Sequence, residues 1–110
     1  MSEARTHYKA GVEHYAAGRT DEAIAAYRRA IAANAELAMA WNGLAMALAK
    51  AGDLDGAVDA ARRYVELDPD EPLAHTSLSI LYQQQGRIPE AEEEKAISMQ
   101  LQMKQTRRPT

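Results

Sequence analysis

The side chains in this sequence that could do chemistry are three histidines and a run of glutamates. His7 and His14 stand at i and i+7. On a helix that is two turns apart, too far for one shared metal ion, and His75 has no histidine near it in sequence. There is no His-Glu-x-x-His pair, no Cys/His spacing and no Gly-x-Ser-x-Gly elbow, so metal-assisted hydrolysis and acyl transfer both lack a candidate constellation. The chain has no cysteine, which removes thiolate and disulfide chemistry and fits a reducing, cytoplasmic setting. Glu90, Glu92, Glu93 and Glu94 crowd the start of a segment opened by Pro89. At a helix N-terminus such carboxylates are stabilised by the helix dipole, and we read the run as a solvated face. The expectation is a protein with no catalytic, metal or cofactor-binding residues.

The elements that carry these residues are set by a period. Gly18, Gly52 and Gly86 recur at an interval of 34 residues (52 − 18 and 86 − 52), and Ala23, Ala57 and Ala91 keep the same interval. A fixed period of this size marks stacked repeats, in which one unit cannot bury its apolar face alone. The stretch from Ala38 to Glu71 shows the unit. Trp41, Leu44, Ala45 and Leu48 make one helical face, and Leu54, Ala57, Val58, Ala61, Tyr64 and Val65 make a second. Ala51-Gly52-Asp53 separates them, and Pro69 ends the unit because it cannot continue a helix. On either side the same reading gives a helix from about Ala4 to Ala17 with Tyr8, Val12 and Tyr15 on one stripe. A second is started by Thr20, expected as its cap, and carries Ala23, Tyr27, Ala30 and Ile31. A fifth opens at Pro72 and carries Leu73, Leu78, Leu81 and Tyr82, and a sixth starts near Ile88 and runs to about Gln105. On the sixth helix Lys95 stands where Tyr27 and Ala61 stood, and Ser98 where Ala30 and Tyr64 stood. We read both as a polar surface that ends the stack.

Composition agrees. The chain has 110 residues, room for one domain, and 46% hydrophobic residues with no Phe and one Trp. The apolar content is therefore largely Ala, which favours helices packed closely over a sheet with large side chains. Thirteen basic and 16 acidic residues leave a net charge of −3, so no nucleic-acid partner is expected, since that needs a basic face. The opening residues, with Glu3 and no apolar run, do not read as a signal peptide, and no apolar stretch is long enough to span a membrane, so no membrane partner is expected.

Trp41-x2-Leu44-Ala45-x2-Leu48, followed by Ala57 and Pro69, resembles a tetratricopeptide repeat. The first repeat keeps Gly11, Ala23, Tyr27 and Ala30 but has His7 for the family's Trp and Ala35 for its Pro. The second has Ala45 for Gly and Ala61 for an aromatic. The third keeps Leu78, Tyr82, Gly86 and Ala91 but has His75 and Ser79. The resemblance implies an all-α fold, an α-solenoid of three stacked antiparallel helix hairpins in a right-handed superhelix. Its repeats would span 4–37, 38–71 and 72–105 of a single domain over 4–105, with 106–110 a flexible tail.

The same resemblance implies a protein–protein interaction module that holds a peptide or helix of a partner in a concave groove. Carried over residue by residue, the groove would be lined by Tyr8, Val12 and Tyr15, then Met39, Asn42, Met46 and Lys50, then Leu73, Thr76, Ile80 and Gln83. Burial of these side chains between neighbouring first helices is the other reading. Family members that clamp a peptide's terminal carboxylate use Lys, Asn and Arg at positions that here hold Tyr8, Val12, Gly43, Leu73 and Ser77, so carboxylate clamping is not expected. The alternative function is a structural module that forms a homo-oligomer through its last helix, where Ile97 and Leu101 form an i, i+4 apolar stripe with no partner in the chain.

Overall fold

Each hairpin is closed by a glycine that the helix before it cannot do without. The computed structural model describes residues 2–107. Among them it contains six helices: α1 (Glu3–Ala16), α2 (Thr20–Ala33), α3 (Ala38–Lys50), α4 (Leu54–Leu67), α5 (Pro72–Gln84) and α6 (Ile88–Thr106). Gly18, Gly52 and Gly86 follow α1, α3 and α5 with φ of 80°, 92° and 78°. That is the left-handed region, where only glycine sits without strain. One residue later the backbone N–H reaches back over the turn. Arg19 N donates to His14 O at 2.9 Å, Asp53 N to Leu48 O at 2.9 Å and Arg87 N to Tyr82 O at 2.8 Å. These satisfy carbonyls that the ending helix leaves without partners. The chain is an all-α solenoid of three helix hairpins, α1–α2, α3–α4 and α5–α6. Among the described residues no helix is long and apolar enough to cross a membrane.

Some local expectations need correcting. Thr20 does not cap α2; the cap position is Arg19, and no side chain bonds there. Asp53 performs that service for α4, accepting from Gly56 N at 2.9 Å. α6 ends at Thr106, one residue past the expected Gln105. Residues 108–110 of the expected tail lie outside the described residues.

The core is small side chains around a few large ones. Ala23, Ala30, Ala40, Ala47, Ala57, Ala61, Ala74 and Ala91 are buried between helices, beside Leu44, Leu48, Leu78, Leu81, Tyr27, Tyr64 and Tyr82. The closest fit is at Tyr27. A Cβ added at Gly11 on α1 would lie 2.7 Å from the Tyr27 ring, and one added at Gly43 on α3 would lie 2.4 Å from it. The ring of α2 therefore occupies a slot with one bare backbone on each side. Its other aromatic neighbour is Tyr8, with ring centroids 5.9 Å apart at 49°. Burial pushes the Tyr27 hydroxyl up from 10.0 to about 12, with Tyr8 and Tyr15 adding to the shift. Burial, then the nearby Glu71 and Asp68, push Tyr64 up to about 12 as well.

Two outcomes follow from this packing. Gly43→Ala should destabilise the fold by about 1–3 kcal/mol through overpacking. In a Tyr27→Ala background the same change should cost much less, as a double-mutant cycle in chemical denaturant would show. The raised hydroxyl groups also set an alkaline limit. The unfolded chain ionises near 10, before the folded one near 12. Stability from these tyrosines is thus intact below pH 10 and declines as pH rises from there toward 12. Denaturation midpoints followed alongside tyrosinate absorbance check this.

Candidate functional site

Because the first helix of every hairpin follows the same turn, α1, α3 and α5 lie side by side and present one common face. On that face the structure gathers the expected groove residues into adjoining depressions. The largest is a cleft of about 650 Å³ between α3 and α5 that contains Tyr15, Asn42, Met46, Lys50, Leu73, Thr76 and Ile80. A shallower one of about 240 Å³ between α1 and α3 contains Tyr8, Val12, Tyr15, Met39, Asn42 and Met46. Gln83 lies further along, in a depression of about 270 Å³ between α5 and α6. Ala45, Ala49, Ser77, Leu81 and Gln84 also line the main cleft. Of these, Gln84 was legible from the repeat, being 34 residues after Lys50.

Exposure divides these residues. Val12, Met39, Met46, Leu73 and Ile80 are large apolar side chains left 40–48% exposed. They come from three neighbouring helices, Val12 from α1, Met39 and Met46 from α3, and Leu73 and Ile80 from α5, and together form an apolar surface on the shared face. Tyr8, Tyr15 and Thr76 are half-buried, and Asn42 is buried in the floor. Asn42 Oδ1 accepts from Ser77 Oγ at 3.3 Å, which ties the floor of α3 to α5. Met39 Sδ accepts from the Tyr64 hydroxyl at 3.7 Å, which steadies one edge. Lys50 is the one charged side chain lining the main cleft. Its Nζ sits 5.1 Å from the centroid of the Tyr15 ring, a cation–π distance.

The histidines have other tasks. Among the described residues no cluster of three or more His, Asp or Glu could hold a metal. His14 accepts from Arg19 Nε at 3.1 Å, and His7 lies 3.7 Å from Glu3. His75 is buried and bridges two elements. Its Nε2 is 2.7 Å from the Pro69 carbonyl and its Nδ1 is 2.7 Å from Glu94 Oε1. A carbonyl only accepts, so Nε2 donates to Pro69 O, and Nδ1 makes the second hydrogen bond with Glu94 Oε1. Glu94 therefore does not belong to a solvated face; its side chain is 18% exposed. Ser98 is also corrected. It is buried against α5, donating to Pro72 O at 3.1 Å and lying 2.7 Å from Thr76 Oγ1. Of the glutamate run, Glu90 occupies the first turn of α6. Its own backbone N–H and the Arg87 guanidinium hold its carboxyl below the usual carboxylate range.

The last helix departs from expectation in a further way. Ile97 and Leu101 are half-buried, whereas Met99 and Met103 are 54% and 50% exposed. Ser98 meets Pro72, the first residue of α5. The turns of α6 after Ser98 therefore extend past the end of its partner helix.

The tetratricopeptide repeat pattern matches this chain over residues 8–72, and a second tetratricopeptide repeat pattern matches 72–94. The chain belongs to the tetratricopeptide repeat family. A curated relative, the TPR repeat-containing thioredoxin TTL4 of Arabidopsis thaliana, is 35% identical over 100 residues. The match takes in 91% of this chain but spans only 15% of the length of that relative. Among solved structures, MamA superposes with a TM-score of 0.92 at 24% identity, over 97% of this chain and 63% of MamA. The second TPR of Spaghetti (RPAP3), solved bound to the HSP90 peptide SRMEEVD, superposes with a TM-score of 0.86 at 23% identity. That likeness covers 90% of this chain and 92% of that one. At these identities the likeness is one of fold.

The His75 bridge makes a testable statement about the third hairpin. His75→Ala leaves the Glu94 carboxylate and the Pro69 carbonyl without partners and should cost about 3 kcal/mol. Hydrogen exchange should show α6 losing protection first. His75→Ala with Glu94→Ala should recover part of the loss.

Proposed function

We propose that this protein is a non-catalytic interaction module whose α1–α3–α5 face holds an apolar segment of a partner protein. The observation that carries the reading is the row Val12, Met39, Met46, Leu73 and Ile80, all large, apolar and 40–48% exposed; Met46, Leu73 and Ile80 line the cleft of about 650 Å³, and Val12 and Met39 the depression beside it. Water-exposed apolar surface of this continuity gains free energy when covered. The two methionines adapt to different side chains. An amphipathic helix or an extended peptide laid across the helices would cover this surface. RPAP3 was solved with SRMEEVD, an acidic segment. Here the clamp positions Tyr8, Val12, Gly43, Leu73 and Ser77 carry no cation, and Lys50 is the only one lining the cleft. Preference for apolar over acidic segments follows.

The exposure of Met99 and Met103 on the overhanging end of α6 favours a second reading, self-association through that helix. The half-buried Ile97 and Leu101 would then support the contact from beneath rather than make it. Sedimentation of Met99→Glu with Met103→Glu tests this: a mass equal to that of the unaltered chain removes the reading.

The groove is tested with an array of amphipathic and acidic peptides. Met46→Glu or Leu73→Glu should weaken binding of apolar segments by more than about tenfold while the helical circular dichroism is unchanged. Binding that is indifferent to both substitutions, or selective for acidic segments, would rule the groove reading out.

A further inference from the structure

The slot around Tyr27 delivers a polar atom as well as a ring. The ring comes from α2, behind the groove face. Its atoms nearest a Cβ built on Gly43 are Cε1 at 2.4 Å and Cζ at 2.5 Å, the carbons at its hydroxyl end. Tyr27 and Gly43 both line the depression between α1 and α3. The phenol therefore passes between two bare backbones, and its hydroxyl arrives at the floor of that depression. One and two repeats later the same position holds Ala61 and Lys95, so the first two hairpins alone frame such a group.

The hydroxyl arrives unpaired. Tyr27 is 4% exposed, and its oxygen has no hydrogen-bond partner among the described residues. Asn42, 7% exposed, lines the same depression. Its Oδ1 is taken by Ser77 Oγ at 3.3 Å, and its Nδ2 has no partner among the described residues. Gln85 Oε1 is the one unbonded polar atom that is fully enclosed in a described residue that is not itself exposed. The Tyr27 oxygen and the Asn42 nitrogen can thus be reached from outside, and the depression is a surface that both side chains line.

These two groups decide what fits there. Nδ2 only donates, whereas a phenol donates and accepts. An aliphatic side chain would cover both and leave them unpaired. A carboxylate would give up its hydration where no charged side chain lines the depression, since Lys50 lines the neighbouring cleft instead. An ammonium would meet the Asn42 donor head-on. A neutral group with one acceptor and one donor satisfies both, provided an apolar stem carries it past Val12, Met39 and Met46, which line the same depression.

We propose that the α1–α3 depression is a subsite for the side-chain carboxamide of a glutamine in the partner segment, with Asn42 and Tyr27 as its specificity-determining residues. The glutamine carbonyl accepts from Asn42 Nδ2, and its amide nitrogen donates to the Tyr27 oxygen. This rests on the groove reading and sharpens it: the segment held is apolar apart from one glutamine seated between α1 and α3.

Peptides that bind in the array are remade with Gln, Leu, Glu or Thr at each position in turn. Their affinities are measured by fluorescence anisotropy for the unaltered chain, Tyr27→Phe and Asn42→Asp. At one position Gln should bind about tenfold tighter than Leu, with Glu and Thr both weaker than Gln. Tyr27→Phe keeps the ring in its slot, so circular dichroism should be the same. It should weaken the Gln peptide by about fivefold or more and tighten the Leu peptide, which no longer covers an unpaired hydroxyl. Asn42→Asp should remove the advantage of Gln over Leu. A purely structural role for Tyr27 would move both peptides the same way. No Gln advantage at any position, or a Tyr27→Phe effect shared by both peptides, overturns the subsite; the groove reading survives this if Met46→Glu still weakens binding. If no peptide binds, the groove reading fails, and butyramide and butyrate decide on the subsite. A shift of the Asn42 side-chain amide signal with butyramide, reduced in Tyr27→Phe, supports it, and no shift or an equal shift with butyrate overturns it.

Discussion

The stack is fixed where one aromatic ring enters a gap left by two glycines. Tyr27 belongs to α2, yet its ring is bounded by backbone from α1 at Gly11 and from α3 at Gly43. A side chain at either glycine would push the helices apart, and interiors at native density have no spare room to absorb that. The ring thus sets both the spacing within the first hairpin and the spacing between the first two. From that spacing follows the even presentation of α1 and α3, and with it the part of the apolar face carried by Val12, Met39 and Met46.

The third hairpin solves the same packing problem with different chemistry. Where the second has Trp41 beside α4, with its indole N–H donating to Ala35 O at 2.8 Å, the third has His75 donating to Pro69 O. His is smaller than Trp, and the volume it gives up is taken by Glu94, which stands where the second hairpin has Ala60. The exchange is of a large and a small residue for two of middle size, and it turns an apolar contact into a hydrogen-bonded one. Ser98 for Tyr64 and Ser79 for Ala45 continue the change, with Ser79 Oγ donating to Ala91 O at 2.7 Å. The last hairpin is therefore held to itself by directional bonds.

Much of this was legible in the sequence, and what was not has a physical reason. The three glycine corners and the approximate helix bounds follow from one period, because a repeat copies backbone geometry along with residue type, whereas the groove stripe came from the family resemblance. Gly11 and Gly43 were visible as small residues, but the slot they form is not a local pattern: the ring that fills it comes from a third helix. The His75–Glu94 pair escaped for a related reason. Each residue alone reads as surface or helix-start chemistry, and only the comparison of position 75 with 41 and of 94 with 60 shows that they vary together. The outward face of α6 was misjudged because, among the described residues, only α5 packs on that helix, and the residue types alone do not show which apolar side chains turn toward it. Ser98 took the inner place, and Met99 and Met103 the outer.

The slot around Tyr27 also bears on how the chain assembles as it is made. Its two walls stand at equal distances along the chain, 16 residues before the ring and 16 after it (27 − 11 and 43 − 27). The bond between the first two repeats is thus a short-range one, of the kind that forms fast. Yet it cannot close until the third helix exists. On a ribosome the opening hairpin would wait with one flank of its tyrosine wet, and would settle only as the residues around Gly43 emerged.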